Sequence, residues 1–107
     1  MKKLYVVATW FHDGNFMDTY KSIKTFGEWE HIAEDVWIVY TDKTPQEMFD
    51  AMLKVYKPTK NTRLAPTRFV AEINADTFKG FLAKTTWEWL DKVRNEIKKN
   101  QNNKNKE

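Results

Sequence analysis

His12 and Asp13 are adjacent residues of the types that move protons, since histidine titrates near neutrality and acts as acid or base. They lie in His12-Asp13-Gly14-Asn15, a run of turn-forming residues, and turn chemistry accounts for them without catalysis. The second histidine, His31, sits in EWEHIA among Glu28, Glu30 and Glu34, and its spacing from His12 demands no metal site. The chain has no cysteine, which excludes a thiolate zinc site, a cysteine nucleophile and a disulfide framework together. It also lacks a Ser/His/Asp signature, a Gly-rich phosphate loop and an HExxH run. The residues predict a protein that is not an enzyme, with no catalytic residue, metal or cofactor.

Binding chemistry is better represented. Between Lys54 and Arg68 stand five basic residues (Lys54, Lys57, Lys60, Arg63, Arg68) and no acidic one. Such a stretch attracts phosphate oxygens, with arginine offering a bidentate fork and lysine a point charge. The lysines alone read as a solvated loop, but Arg63 and Arg68 stand at the mouth of a strand, where side chains are held. Trp10 and Phe11 sit where a strand gives way to a turn, and exposed aromatics beside basic groups stack nucleobases, at about 1–3 kcal/mol each. Trp10, His12, Lys60, Arg63 and Arg68 are therefore the expected ligand-binding residues. Trp37, Trp87 and Trp89 read as core or interface residues, and Glu28, Glu30, Glu34 and Asp35 as a solvated acidic stretch.

These residues must be positioned by one domain. The chain has 107 residues, 41% hydrophobic and 31% charged, and its sixteen aromatics suffice to fill a core. Absence of cysteine favours a cytoplasmic setting, and no apolar run approaches the length of a membrane span. The net charge of +3 resides in the end of the chain. Without residues 92–107, 12 basic and 13 acidic residues remain. The Lys/Asn-rich residues 100–107 read as a disordered tail after a domain spanning 1–99.

Lys3–Trp10 is a β-branched and aromatic run that predicts a strand. A helix carrying Phe16, Tyr20 and Ile23 follows, with Gly27 as its stop. Glu28–Ala33 and Asp35–Thr41 predict two strands, the second apolar on both faces. Thr44-Pro45-Gln46-Glu47 is a capping box opening a helix with Met48, Ala51, Met52, Val55 and Tyr56 inward. Residues 57–67 predict a polar loop and Arg68–Ile73 a fourth strand, while Asp76–Lys84 stays open between a short strand and an irregular crossing. Thr85-Thr86-Trp87-Glu88 repeats the capping-box pattern before a last helix with Trp87, Leu90, Val93 and Ile97 on one face. This is an α+β order, β-α-β-β-α-β with an added C-terminal helix, the ferredoxin-like pattern. Two helices on one face would leave Tyr5, Val7, Trp37 and Val39 on an open apolar face, which predicts a homodimer through those four residues.

The passage from Lys3–Trp10 through Phe26-Gly27-Glu28-Trp29, Glu34-Asp35-Val36-Trp37-Ile38-Val39 and Thr44–Met52 resembles the small CRISPR-associated endoribonuclease-like family. That family is the non-integrase partner in spacer acquisition, and it has stand-alone relatives. The likeness covers roughly residues 3–75 and implies a ferredoxin-like homodimer that binds nucleic acid or cleaves it with a metal. Active members place an aspartate at the end of the first strand to hold the metal. Here that position is Trp10, or Thr9 one residue earlier, and an indole supplies no hard oxygen ligand.

The expected function is thus a non-catalytic homodimeric binding protein for a phosphate-bearing ligand. That ligand is a nucleotide or cyclic-nucleotide signal, sequestered as in phage-type counter-defence, or nucleic acid. The alternatives are a metal-dependent nuclease using Asp13 and a protein-interaction module using the open sheet face.

Overall fold

Apolar side chains on both sides of the first and third strands require a sheet covered on both faces. The computed structural model describes residues 1–10, 17–55, 67–74, 80 and 82–105 and builds such a sheet. In chain order its elements are β1 (Lys3–Trp10), α1 (Met17–Ile23), β2 (Glu28–Ala33), β3 (Val36–Thr41), α2 (Pro45–Lys54), β4 (Thr67–Glu72) and α3 (Lys84–Asn105). The four strands form one antiparallel sheet in the order β2-β3-β1-β4. The chain is therefore a mixed α+β fold. Among the described residues no helix is long and apolar enough to cross a membrane.

Strand alternation divides the core in two. Tyr5, Val7, Trp37 and Val39 share one face, packed with Ile23, Phe26, Met48 and Met52 from the α1 and α2 segments. Leu4, Ile38 and Tyr40 share the other, covered by Leu90 and Val93 of α3. This corrects the expected dimer interface. Tyr5, Val7, Trp37 and Val39 are 5%, 0%, 1% and 0% exposed within a single chain, so they have no surface left for a second copy. The two early helices took the face that was expected to stay open, and α3 closed much of the opposite one. Each large apolar side chain so buried contributes about 1.5–3 kcal/mol. On the α3 face, Phe69 remains 59% exposed and Val6, Ala8 and Val36 half-buried.

The helix signals worked unevenly. At α2 the capping box forms as read: Thr44 Oγ1 accepts from the Glu47 amide at 3.1 Å, and Glu47 Oε1 accepts from the Thr44 amide at 3.0 Å. Thr44→Ala is expected to cost about 1 kcal/mol in urea denaturation, the usual worth of an N-cap. Foremost the bond from the Thr44 amide, then the Thr44 side chain, hold the Glu47 carboxyl below its ordinary range. A depressed carboxylate stabilises above its unfolded pKa, so this contribution fades as the pH falls through the acid range.

At α3 the capping box at Thr85 does not form. The helix starts at Lys84, two residues before the start a Thr85 cap would set, with the Ala83 carbonyl accepting from the Thr86 and Trp87 amides at 3.0 and 3.1 Å. Glu88 instead lies 3.9 Å from Lys84, one turn back. The helix also runs through Asn105, where residues 100–107 were expected as a disordered tail beyond 1–99. No glycine or proline interrupts Lys98–Asn105, and propagating an existing helix adds a hydrogen bond for each residue fixed. At 22 residues α3 is roughly 33 Å long.

Candidate functional site

Two of the predicted ligand residues, Trp10 and Arg68, stand at one end of the sheet. Thr9 stands opposite Arg68, and Trp10 opposite Thr67, where β1 finishes beside the start of β4. The segment carrying His12 leaves Trp10, and the segment carrying Lys60 and Arg63 arrives at Thr67. His12, Lys60 and Arg63 themselves lie outside the described residues. Asp13, the candidate metal ligand of the nuclease alternative, does so as well.

Arg68 is half-buried, with Nε and Nη1 shielded from solvent and its guanidinium 5.8 Å from the centre of the Phe49 ring of α2. The aromatic face fixes the cation in a setting less polar than water, where its field acts more strongly on an anion. Across β1, Thr9 is buried and anchors the β2–β3 turn. Its amide donates to the Asp35 carbonyl at 2.8 Å and its hydroxyl to the same oxygen at 3.2 Å.

A second cluster occupies the opposite corner of this sheet end. His31 lies flat on Trp37, ring centres 3.9 Å apart and planes 3° from parallel. Tyr20 of α1 meets both rings edge-on, at 5.5 Å from His31 and 5.4 Å from Trp37. Trp29 meets Trp37 edge-on at 5.2 Å and carries Lys24 Nζ 5.4 Å from its own ring centre. The Glu34 carbonyl accepts from the Tyr20 hydroxyl and, at 2.9 Å, from His31 Nε2. The hydroxyl also lies 3.3 Å from Asp35 Oδ1. Burial foremost, then the Asp35 charge and hydrogen bond and the Glu34 charge, push the Tyr20 pKa up, so the hydroxyl stays protonated and donates.

Sequence reasoning weighed His31 only against a metal site, which its spacing did not demand, and missed this stack. The available signal was period two: Trp29 and His31 alternate on one face of β2, and the register puts His31 opposite Trp37. Among the described residues no group of three or more His, Asp or Glu is placed to hold a metal ion.

The acidic stretch is split by the same alternation. Glu28 stands opposite Tyr40 and Glu30 opposite Ile38, on the α3 face. Glu28 shares a groove there with Lys92, Glu96 and Lys99 of α3. Burial, then Glu96 and Glu28, raise the Tyr40 pKa strongly. A separate cleft of about 380 Å³ lies at the far end of the sheet, between the first residues, the end of β4 and Ile97 of α3. Lys3 pairs with Glu72 at 3.7 Å beside it, and Lys2 and Lys98 also line the cleft, so its nearest charges are net positive. No family model, curated protein or solved structure matches this chain.

Proposed function

We propose that this chain is a non-catalytic binding protein for a phosphate-bearing ligand, a nucleotide or cyclic nucleotide, taken up where β1 ends and β4 begins. The observation that carries the reading is the register. It seats Arg68 beside Thr9, at the end where the segment bearing His12 and the segment bearing Lys60 and Arg63 connect to the sheet. A guanidinium held against Phe49 supplies the anion contact, and the basic segment adds charge of the same sign. Retention without turnover, that is, sequestration of a signal, is the role such a site would serve.

The accompanying fold reading is ferredoxin-like, supported by the β-α-β-β-α-β order and the β2-β3-β1-β4 arrangement of antiparallel neighbours. A second copy would cover what α3 leaves open on its face, around Phe69, Val6 and Ala8. That surface replaces the four residues of the earlier interface expectation.

Calorimetric titration with nucleoside phosphates and cyclic dinucleotides tests the site. Wild type is expected to bind at least one of them, and Arg68→Ala and Trp10→Ala each to weaken it about tenfold. Binding unaffected by both substitutions would sink the proposal. Nucleic acid is the second reading, favoured by the helical Lys98–Asn105 extension, whose side chains include no carboxylate. Its mark is a steep loss of affinity with salt and upon truncation after Ile97.

A further inference from the structure

We infer that the corner formed by Trp29, His31, Glu30, Glu34 and Asp35 is a docking site for an extended, arginine-rich peptide. This site is independent of the phosphate site and opposite to it in charge.

The shape comes from the stack. Trp37 is 1% exposed and covers one face of the His31 ring, while His31 itself is exposed. A flat, solvent-facing imidazole backed by an indole is a platform on which a planar guanidinium can lie. Its orientation is locked, since Nε2 donates to the Glu34 carbonyl and Tyr20 abuts its edge. Beside it, Trp29 is 37% exposed, and Lys24 already places a cation over that ring. The protein thus displays the interaction in its own chain, an ammonium on an aromatic face at the rim of the site.

Charge selects the occupant. Glu28, Glu30, Glu34 and Asp35 lie on β2 and the turn that follows it, against Lys24 in the turn before it. A phosphate-bearing ligand is disfavoured there, whereas a guanidinium gains either the aromatic face next to the Glu34–Asp35 turn or, on the α3 side of the strand, the Glu28 and Glu30 carboxylates.

The backbone sets the extended form. β2 is an outer strand of the sheet, and residues 28–31 keep regular register before the irregularity between His31 and Ala33. A peptide pairing along 28–31 alternates its side chains, one set beside Trp29 and His31, the other beside Glu28 and Glu30. Both sets favour cations, although Lys92 and Lys99 near Glu28 leave Glu30 as the stronger contact on that side. A second copy of β2 is a poor occupant, because antiparallel pairing centred on Trp29 would set Glu28 of each strand against Glu30 of the other.

Fluorescein-labelled hexa-arginine, followed by anisotropy at pH 8 with hexa-lysine and hexa-glutamate as comparisons, tests the inference. Saturable binding is expected in the order arginine, lysine, glutamate. Combined Trp29→Ala and Glu34→Gln substitution should weaken hexa-arginine about fivefold or more in a protein whose far-UV circular dichroism stays that of the wild type. Arg68→Ala should leave the affinity unchanged or slightly improved. Amide shifts on titration should gather at residues 28–35. Absence of saturation, equal affinity for hexa-lysine, indifference to the double substitution, or shifts centred elsewhere would each overturn the inference.

Discussion

Gly27→Ala is expected to destabilise the protein by about 3 kcal/mol or more, a larger effect than any surface substitution should have. Gly27 joins the α1 segment to β2 with φ at +156°, a backbone conformation that L side chains rarely adopt. Space compounds the strain. A Cβ there would stand 2.5 Å from the Tyr40 carbonyl oxygen and 3.2 Å from Thr41 Cβ. Both belong to β3, which lies between β2 and β1 in the sheet and cannot step aside without breaking pairing on one side. The neighbouring Phe26 carbonyl also accepts from the Thr41 hydroxyl, tying the junction to the same strand. For a domain of this size the loss corresponds to roughly 12–24 °C in Tm. Urea denaturation followed by tryptophan fluorescence measures it, and a cost below about 1 kcal/mol would show that the backbone at 27 adopts another conformation.

Trp37→Ala should cost about 3–5 kcal/mol, the range for removing a large aromatic from a packed core. Trp37 is 1% exposed and belongs to the core between the sheet and the α1 and α2 helices. It also supports Trp29, Tyr20 and His31, so truncation removes the floor of the aromatic corner along with its own burial. Trp37→Phe separates these contributions. The indole Nε1 is buried without a hydrogen-bond partner among the described residues, and an unmatched donor costs about 1–3 kcal/mol. Phenylalanine removes that donor while keeping a ring under His31, so its cost should fall well below that of alanine. Chemical denaturation of both variants gives the comparison. Equal losses for the two would mean that the indole's second ring, and not the aromatic surface shared with His31, carries the stability.

Much of the chain was legible because its signals are local. The Thr44 capping box needs only four residues and the geometry of a helix start, and it formed as read. The strands over Lys3–Trp10 and Glu28–Ala33 follow from residue type and period, and the fourth strand was displaced by one residue. The Thr85 box shares its first Thr and fourth Glu with the one at Thr44, yet the chain entered the helix at Lys84, where Trp87 and Leu90 pack against the sheet. At Gly27 the residue type was informative and its use was not. A stop signal was readable, whereas the close approach to Tyr40 depends on a strand thirteen residues away.

The candidate sites divide along the same line. The basic character of Lys54–Arg68 and the turn after Trp10 are sequence facts, but Arg68 and Thr9 became neighbours only through pairing of β1 with β4. His31 and Trp37 likewise met through the β2–β3 register. The sequence by itself determined the α+β order, the two-sided apolar strands and where the charges lie along the chain, since these depend on residue type and spacing. Tertiary structure decided which helices cover which face. Alternation marks two apolar faces without ranking them, and the handed path of each crossover assigns α1 and α2 to the Val7 side. That assignment turned Tyr5, Val7, Trp37 and Val39 from an expected interface into the interior, and left Phe69 and the Trp29–His31 corner at the surface.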